Sequence, residues 1–150
     1  MIIVSVQHTG TRYLAKHLQH DWAGHCTPIN MEACRMRLRG NQGVVPMRHP
    51  ALVYESWRRR SNMLRHTPSH CTQQFDNLIE LDREFDLRYV FVEDTTWGEP
   101  ISTHGNAQTT ITPEMLKAVP DKVMVFYNAI RNTHGEFERP ATQEATRDLR

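Results

Sequence analysis

Six consecutive residues, His8-Thr9-Gly10-Thr11-Arg12-Tyr13, gather side chains suited to holding an anion: an imidazole, two hydroxyls and a guanidinium around one glycine. A β-branched run, Ile2-Ile3-Val4-Ser5-Val6, leads into them, and Leu14 and Leu18 then repeat at helical spacing. Strand, tight turn and helix bring the free amide groups of a helix start toward one point, a geometry that binds phosphate. Gly10 permits the turn and a close backbone approach. A helix dipole contributes only about 0.3–2 kcal/mol, so the hydroxyls and charges must supply the remainder. The loop is not a Walker A motif, because G-x-x-x-x-G-K-[ST] is absent. The same pattern also fits an ordinary β–turn–helix start that binds nothing.

A second anion grip is written around Arg48 and Ser56. Residues 43–47, Gly-Val-Val-Pro-Met, read as a strand, with Pro46 marking its end or an edge position. Arg48 leaves that strand, and Pro50 suits the first turn of a helix reaching about residue 64, with Val53, Trp57 and Leu64 on its buried stripe. Ser56 then lies two helical turns beyond Arg48, so both can reach one phosphate. A charge-assisted bond of this kind contributes about 1.5–3 kcal/mol. Two grips on neighbouring strand ends suit a ligand with two separated acidic groups.

The remaining elements must position these residues. Residues 21–30 read as a loop, after which Asn30 caps a short helix over 31–39 that Gly40 ends. A break at 67–69 precedes a helix over 72–85, with Phe75, Leu78, Ile79 and Asp82 at helical spacing. Residues 88–92 are the clearest later strand and run into Glu93-Asp94. Residues 95–112 form a long, threonine-rich loop, Thr112-Pro113-Glu114 starts a short helix, and Val123, Phe126, Tyr127 and Ile130 fit another. The run 123–127 would also fit a strand. The polar stretch 139–150 is a tail. Strands alternating with helices predict a single α/β domain over 1–150 with a mainly parallel sheet, whose ligands gather at the carboxyl ends of strands.

With 18 Lys+Arg against 17 Asp+Glu, no overall field draws the chain to nucleic acid or a membrane. Cys26, Cys34 and Cys71 are odd in number and irregularly spaced, which predicts free thiols in a reducing compartment. No apolar run approaches membrane-spanning length and no basic stretch opens a signal peptide, so a soluble, cytoplasmic protein is expected. The sets His17, His20, His25, Cys26 and His66, His70, Cys71 lack zinc spacing, so no metal is expected. Arg58-Arg59-Arg60 with Arg65 would receive an anionic acceptor or simply form a solvated helix face. Trp22, Trp57 and Trp97 offer sugar-stacking surfaces, although Trp57 fits the core.

The loop from His8 to Tyr13 resembles the 5′-phosphosulfate loop of the sulfotransferases that use 3′-phosphoadenosine-5′-phosphosulfate, and its Gly-Thr-Arg is most like the heparan-sulfate branch. Arg48-His49-Pro50 with Ser56 matches that family's 3′-phosphate motif, R-x-P-x-x-x-x-x-S. The run 89–94 looks like the later strand ending in Glu-Asp, and Thr112-Pro113-Glu114 like the start of the C-terminal helix. The resemblance implies a short, divergent member with a three-layer P-loop-NTPase-like fold, a mainly parallel central sheet and helices on its faces. It implies transfer of the sulfuryl group to a hydroxyl or amine of a small-molecule or glycan acceptor, anionic if the arginines receive it, with release of 3′,5′-adenosine bisphosphate. His8, Thr9, Gly10, Thr11, Arg12 and Tyr13 would hold the 5′-phosphosulfate, and Arg48 and Ser56 the 3′-phosphate. His8 stands where the family usually has lysine, and Arg12 supplies a permanent charge nearby. Glu32 matches the base of the heparan-sulfate branch and His25 that of cytosolic members, while an acidic first-turn residue and a surface loop histidine are the plain alternatives. For the family's glycine-rich loop over the 3′-phosphate only Arg131, Gly135 and Arg139 are candidates. Two other functions remain open on the same architecture: a nucleotide or phosphate-ester kinase, with Glu93-Asp94 for magnesium, and a non-catalytic nucleotide-binding module.

Overall fold

The computed structural model describes residues 1–9, 14, 24–60, 67–94 and 110–133. Four strands, β1 (Ile2–Val4), β2 (His25–Cys26), β3 (Gly43–Met47) and β4 (Leu87–Phe91), form one sheet in the order β2-β1-β3-β4, with every pairing parallel. Ile3 lies opposite both His25 and Val44, and β3 and β4 are in register from Gly43↔Leu87 to Met47↔Phe91. Because side chains alternate along a strand, Ile2, Val4, Val45, Met47, Tyr89 and Phe91 share the large core on one face. Ile3, Val44 and Val90 meet Leu14 on the other. Both faces of the sheet are therefore buried, which is why the strands read as continuous apolar runs.

The helices are α1 (Met31–Leu38), α2 (Pro50–Arg59), α3 (Pro68–Glu84), α4 (Pro113–Lys117) and α5 (121–133). Four begin on side-chain caps: Asn30 accepts from Ala33 N, His49 from Ala51 N, Thr67 from His70 N and Thr112 from Met115 N. Trp57 on α2 and Cys71, Phe75, Leu78 and Leu81 on α3 are fully buried against the large face, joined by Val123, Phe126, Tyr127 and Ile130 from α5. The 123–127 run is thus helical. Among the described residues no helix is long and apolar enough to cross a membrane.

Two expectations are corrected. Residues 25 and 26, placed in a loop, form the edge strand β2, held by Ile3 N→Gly24 O and Ser5 N→Cys26 O bonds. Thr67 to Ser69 is not a break: Thr67 is the cap and Pro68 the first residue of α3. Pro46, expected at the strand's end or an edge, is the next-to-last residue of the central strand β3, beyond the last β1–β3 partner pair, where its missing N–H costs β1 nothing. Residues 95–109 and 139–150, and Leu64, lie outside the described residues.

Candidate functional site

The strand order reverses between β1 and β3, because the chain leaves β1 toward β2 and leaves β3 toward β4. In open parallel sheets the ligand crevice lies at that point, beyond the carboxyl ends of the two strands. Gln7, His8 and Thr9 follow β1 there, and Arg48 and His49 follow β3.

His8 adopts φ 72°, a left-handed conformation that costs a non-glycine residue about 1–3 kcal/mol. The neighbours of the turn hold it. Gln7 N donates to Gln74 Oε1 at 3.0 Å, Gln74 Nε2 returns a bond to Gln7 Oε1 at 3.0 Å, and Trp57 Nε1 donates to Gln7 O at 3.0 Å. Thr9 is buried and its hydroxyl donates to Val6 O at 2.6 Å, so in this structure it braces the turn rather than facing a ligand. So fixed, His8 sets its ring 5.2 Å from that of Trp57 and places Nδ1 2.9 Å from Ser56 Oγ. The residue after β1 and the residue two turns along α2 are in direct contact. Gly10, Thr11, Arg12 and Tyr13 lie outside the described residues.

Arg48 is only 8 % exposed. Burial lowers the pKa of its guanidinium, Glu93 opposes that shift and Arg59 adds to it. Glu93, in the 3-10 turn Val92–Asp94 after β4, accepts from His49 N at 2.6 Å and so ties the ends of β3 and β4 together. His49 caps α2 through Nδ1, which accepts from Ala51 N at 3.1 Å. Burial first, and then the Arg131 charge, push its pKa below the usual histidine value, which keeps it neutral and able to accept. Arg131 reaches this rim from α5, its guanidinium 4.5 Å from the centre of the Phe91 ring, and Tyr127 packs against His49 at 5.1 Å.

The sequence-predicted residues separate into groups. His8, Thr9, Arg48 and Ser56 all come to the β1/β3 rim, with His8 and Ser56 touching. Glu32 is exposed in the first turn of α1, a helix that starts on the side where β2 ends. His25 does not reach the rim: it lies within the sheet opposite Ile3, and Arg37 from the far end of α1 bonds its carbonyl. Arg58 and Arg59 both pair with Glu55, so that part of the basic cluster is balanced by its own helix. The sequence matches no protein-family model and no curated protein, and the fold matches no solved structure. The site therefore rests on its own geometry. Gln7 and Gln74 were not legible as members of it, since 67 residues separate them and neither type marks a site by itself.

Proposed function

We propose that this chain is a sulfotransferase on a three-layer P-loop-like fold, binding 3′-phosphoadenosine-5′-phosphosulfate and passing its sulfuryl group to a hydroxyl or amine. The observation that carries the reading is the convergence of a strained β1 turn with a buried arginine and a helix-borne serine at the switch point. The donor set fits the ligand: a guanidinium, a hydroxyl and an imidazole match phosphate oxygens, and the buried Arg48 charge favours a dianion. The cofactor would supply an already activated group. The chain's share is electrostatic and positional.

In this reading Arg48 and Ser56 fix the 3′-phosphate, while His8 serves the 5′ end. His8 would donate a proton-bearing ring nitrogen to the leaving oxygen, releasing Ser56 as it does so. Glu32 is the better supported base, because it opens α1 after the end of β2, whereas His25 is paired within the edge strand opposite Ile3. The kinase alternative is less well supported, because the Glu93 carboxylate already holds His49 N–H beside Arg48.

Titration calorimetry with 3′,5′-adenosine bisphosphate, 5′-AMP and ATP tests the reading. Binding should require the 3′-phosphate, and Arg48→Ala should weaken it about 10- to 150-fold, the equivalent of one charge-assisted bond. Equal binding of ATP, or of no nucleotide, would overturn it. Tight binding with no sulfuryl transfer to a panel of phenols, amines and glycans would favour the non-catalytic module.

A further inference from the structure

The corner between β3 and α2 converges on His49. Pro50 has no N–H, and the next three amides of α2 all end on His49: Ala51 N on its Nδ1 at 3.1 Å, and Leu52 N and Val53 N on its carbonyl oxygen at 2.9 and 3.2 Å. The N–H of His49 itself donates to Glu93 Oε1 at 2.6 Å. That N–H belongs to the peptide joining Arg48 to His49, and a peptide group is planar, so the same bond fixes the plane that leaves the Arg48 Cα. Ser56 rides on the same helix, three residues beyond Val53. One carboxylate oxygen thus holds the point from which the arginine and the serine both take their positions.

Strand register puts Glu93 there. Phe91 faces Met47, and Glu93 and His49 each lie two residues beyond that pair. Val92 is fully buried and anchors the 3-10 turn that carries Glu93. Tyr127 closes the corner from α5, packing on the His49 ring at 5.1 Å and on the Phe91 ring at 6.0 Å. We propose that Glu93 is a positioning residue for the 3′-phosphate: through His49 it sets Arg48 and Ser56 where one phosphate can meet both, without touching the phosphate itself. This role rests on the sulfotransferase reading and adds to it a residue from the end of β4. The charges agree with it. Burial pushes the Arg48 pKa down, and the Glu93 charge pushes it back up. A plain counter-charge to Arg48 would need only a carboxylate nearby. A positioning residue needs an acceptor atom within reach of His49 N, charged or not.

The test is titration calorimetry of the full chain with 3′,5′-adenosine bisphosphate and with 5′-AMP, in wild type, Glu93→Gln, Glu93→Asp and Glu93→Ala. The quantity read is the ratio of the two affinities, which isolates the 3′-phosphate. Glu93→Gln keeps an acceptor at the same reach and should hold that ratio within about 3-fold of wild type. Glu93→Asp keeps the charge but withdraws the oxygen by one methylene, about 1.5 Å, so the ratio should fall about 10-fold, as it should in Glu93→Ala. The affinity for 5′-AMP should stay unchanged in each variant. In an Arg48→Ala background, Glu93→Asp should lower the ratio no further. If Glu93→Asp matches wild type while Glu93→Gln loses the ratio, Glu93 is a counter-charge and the proposal is overturned. Both nucleotides weakening together, the mark of a loosened fold, would also overturn it. Wild type that ignores the 3′-phosphate would overturn the sulfotransferase reading and this role with it. Wild type that requires it, with every Glu93 variant unchanged, would overturn this role alone. Glu93→Gln and Glu93→Asp decide even if Glu93→Ala fails to fold.

Discussion

The turn after β1 owes its shape to Gln74, and replacing that residue should show how much. Gln74→Leu removes the bond to Gln7 N and the return bond to Gln7 Oε1, both 3.0 Å long, at a position only 3 % exposed. Two neutral bonds are worth about 1 kcal/mol each, and a half-buried N–H left without a partner adds about 1 kcal/mol, giving a loss near 3 kcal/mol. With a urea slope of about 2 kcal/mol/M, the unfolding midpoint should fall by about 1.5 M. Gln74→Glu should cost less, because it keeps an acceptor for Gln7 N–H and the Gln7 amide can turn to donate to it. Trp57→Phe removes the third bond to the same residue. Since all three bonds hold Gln7, the double variant should depart from additivity by more than about 0.5 kcal/mol. A loss under about 0.5 kcal/mol for Gln74→Leu, or strict additivity with Trp57→Phe, would show that the left-handed His8 is held by something other than this clamp.

Two further outcomes follow from the same structure. His49 has a depressed pKa in the folded chain, so the unfolded state binds more protons once pH drops below the unfolded value of about 6.5. Its contribution is fully present above that pH and is lost as pH falls toward the lower, folded pKa. Urea melts across this range should show wild type losing stability faster than His49→Asn, which retains a cap acceptor that cannot titrate. Gly43 is the second test: a methyl group there would come within 2.6 Å of both Leu38 Cδ2 and Leu87 Cδ2. Gly43→Ala should destabilise by about 1–3 kcal/mol, whereas Gly40→Ala, with nothing within 4 Å, should be nearly neutral in the same melts.

Local chemistry made much of this chain readable in advance. Asn30 and Thr112 mark helix starts because a cap acts over three residues, and Pro50 and Pro113 lie in first turns where no N–H is required. The stretches 43–47 and 88–92 signal strands, the second running one residue earlier in the fold as Leu87–Phe91, and they read as apolar because both sheet faces are covered. Arg48 and Ser56 were placed near one ligand by helical spacing alone, and the helix is there. What the sequence could not state was which distant groups would meet. A two-residue strand such as β2 has no period of its own and exists only because β1 pairs with it. The left-handed turn falls on His8, since Gln74 and Trp57, from two other helices, hold Gln7. His25 reads as a loop residue until pairing sets it opposite Ile3 on the edge strand. Cys26 and Cys34 looked like unrelated thiols until folding put both into the same core. Caps, turns and periodicity act within a few residues, so the sequence by itself determines them. Contacts made only after the chain has closed on itself belong to the tertiary structure.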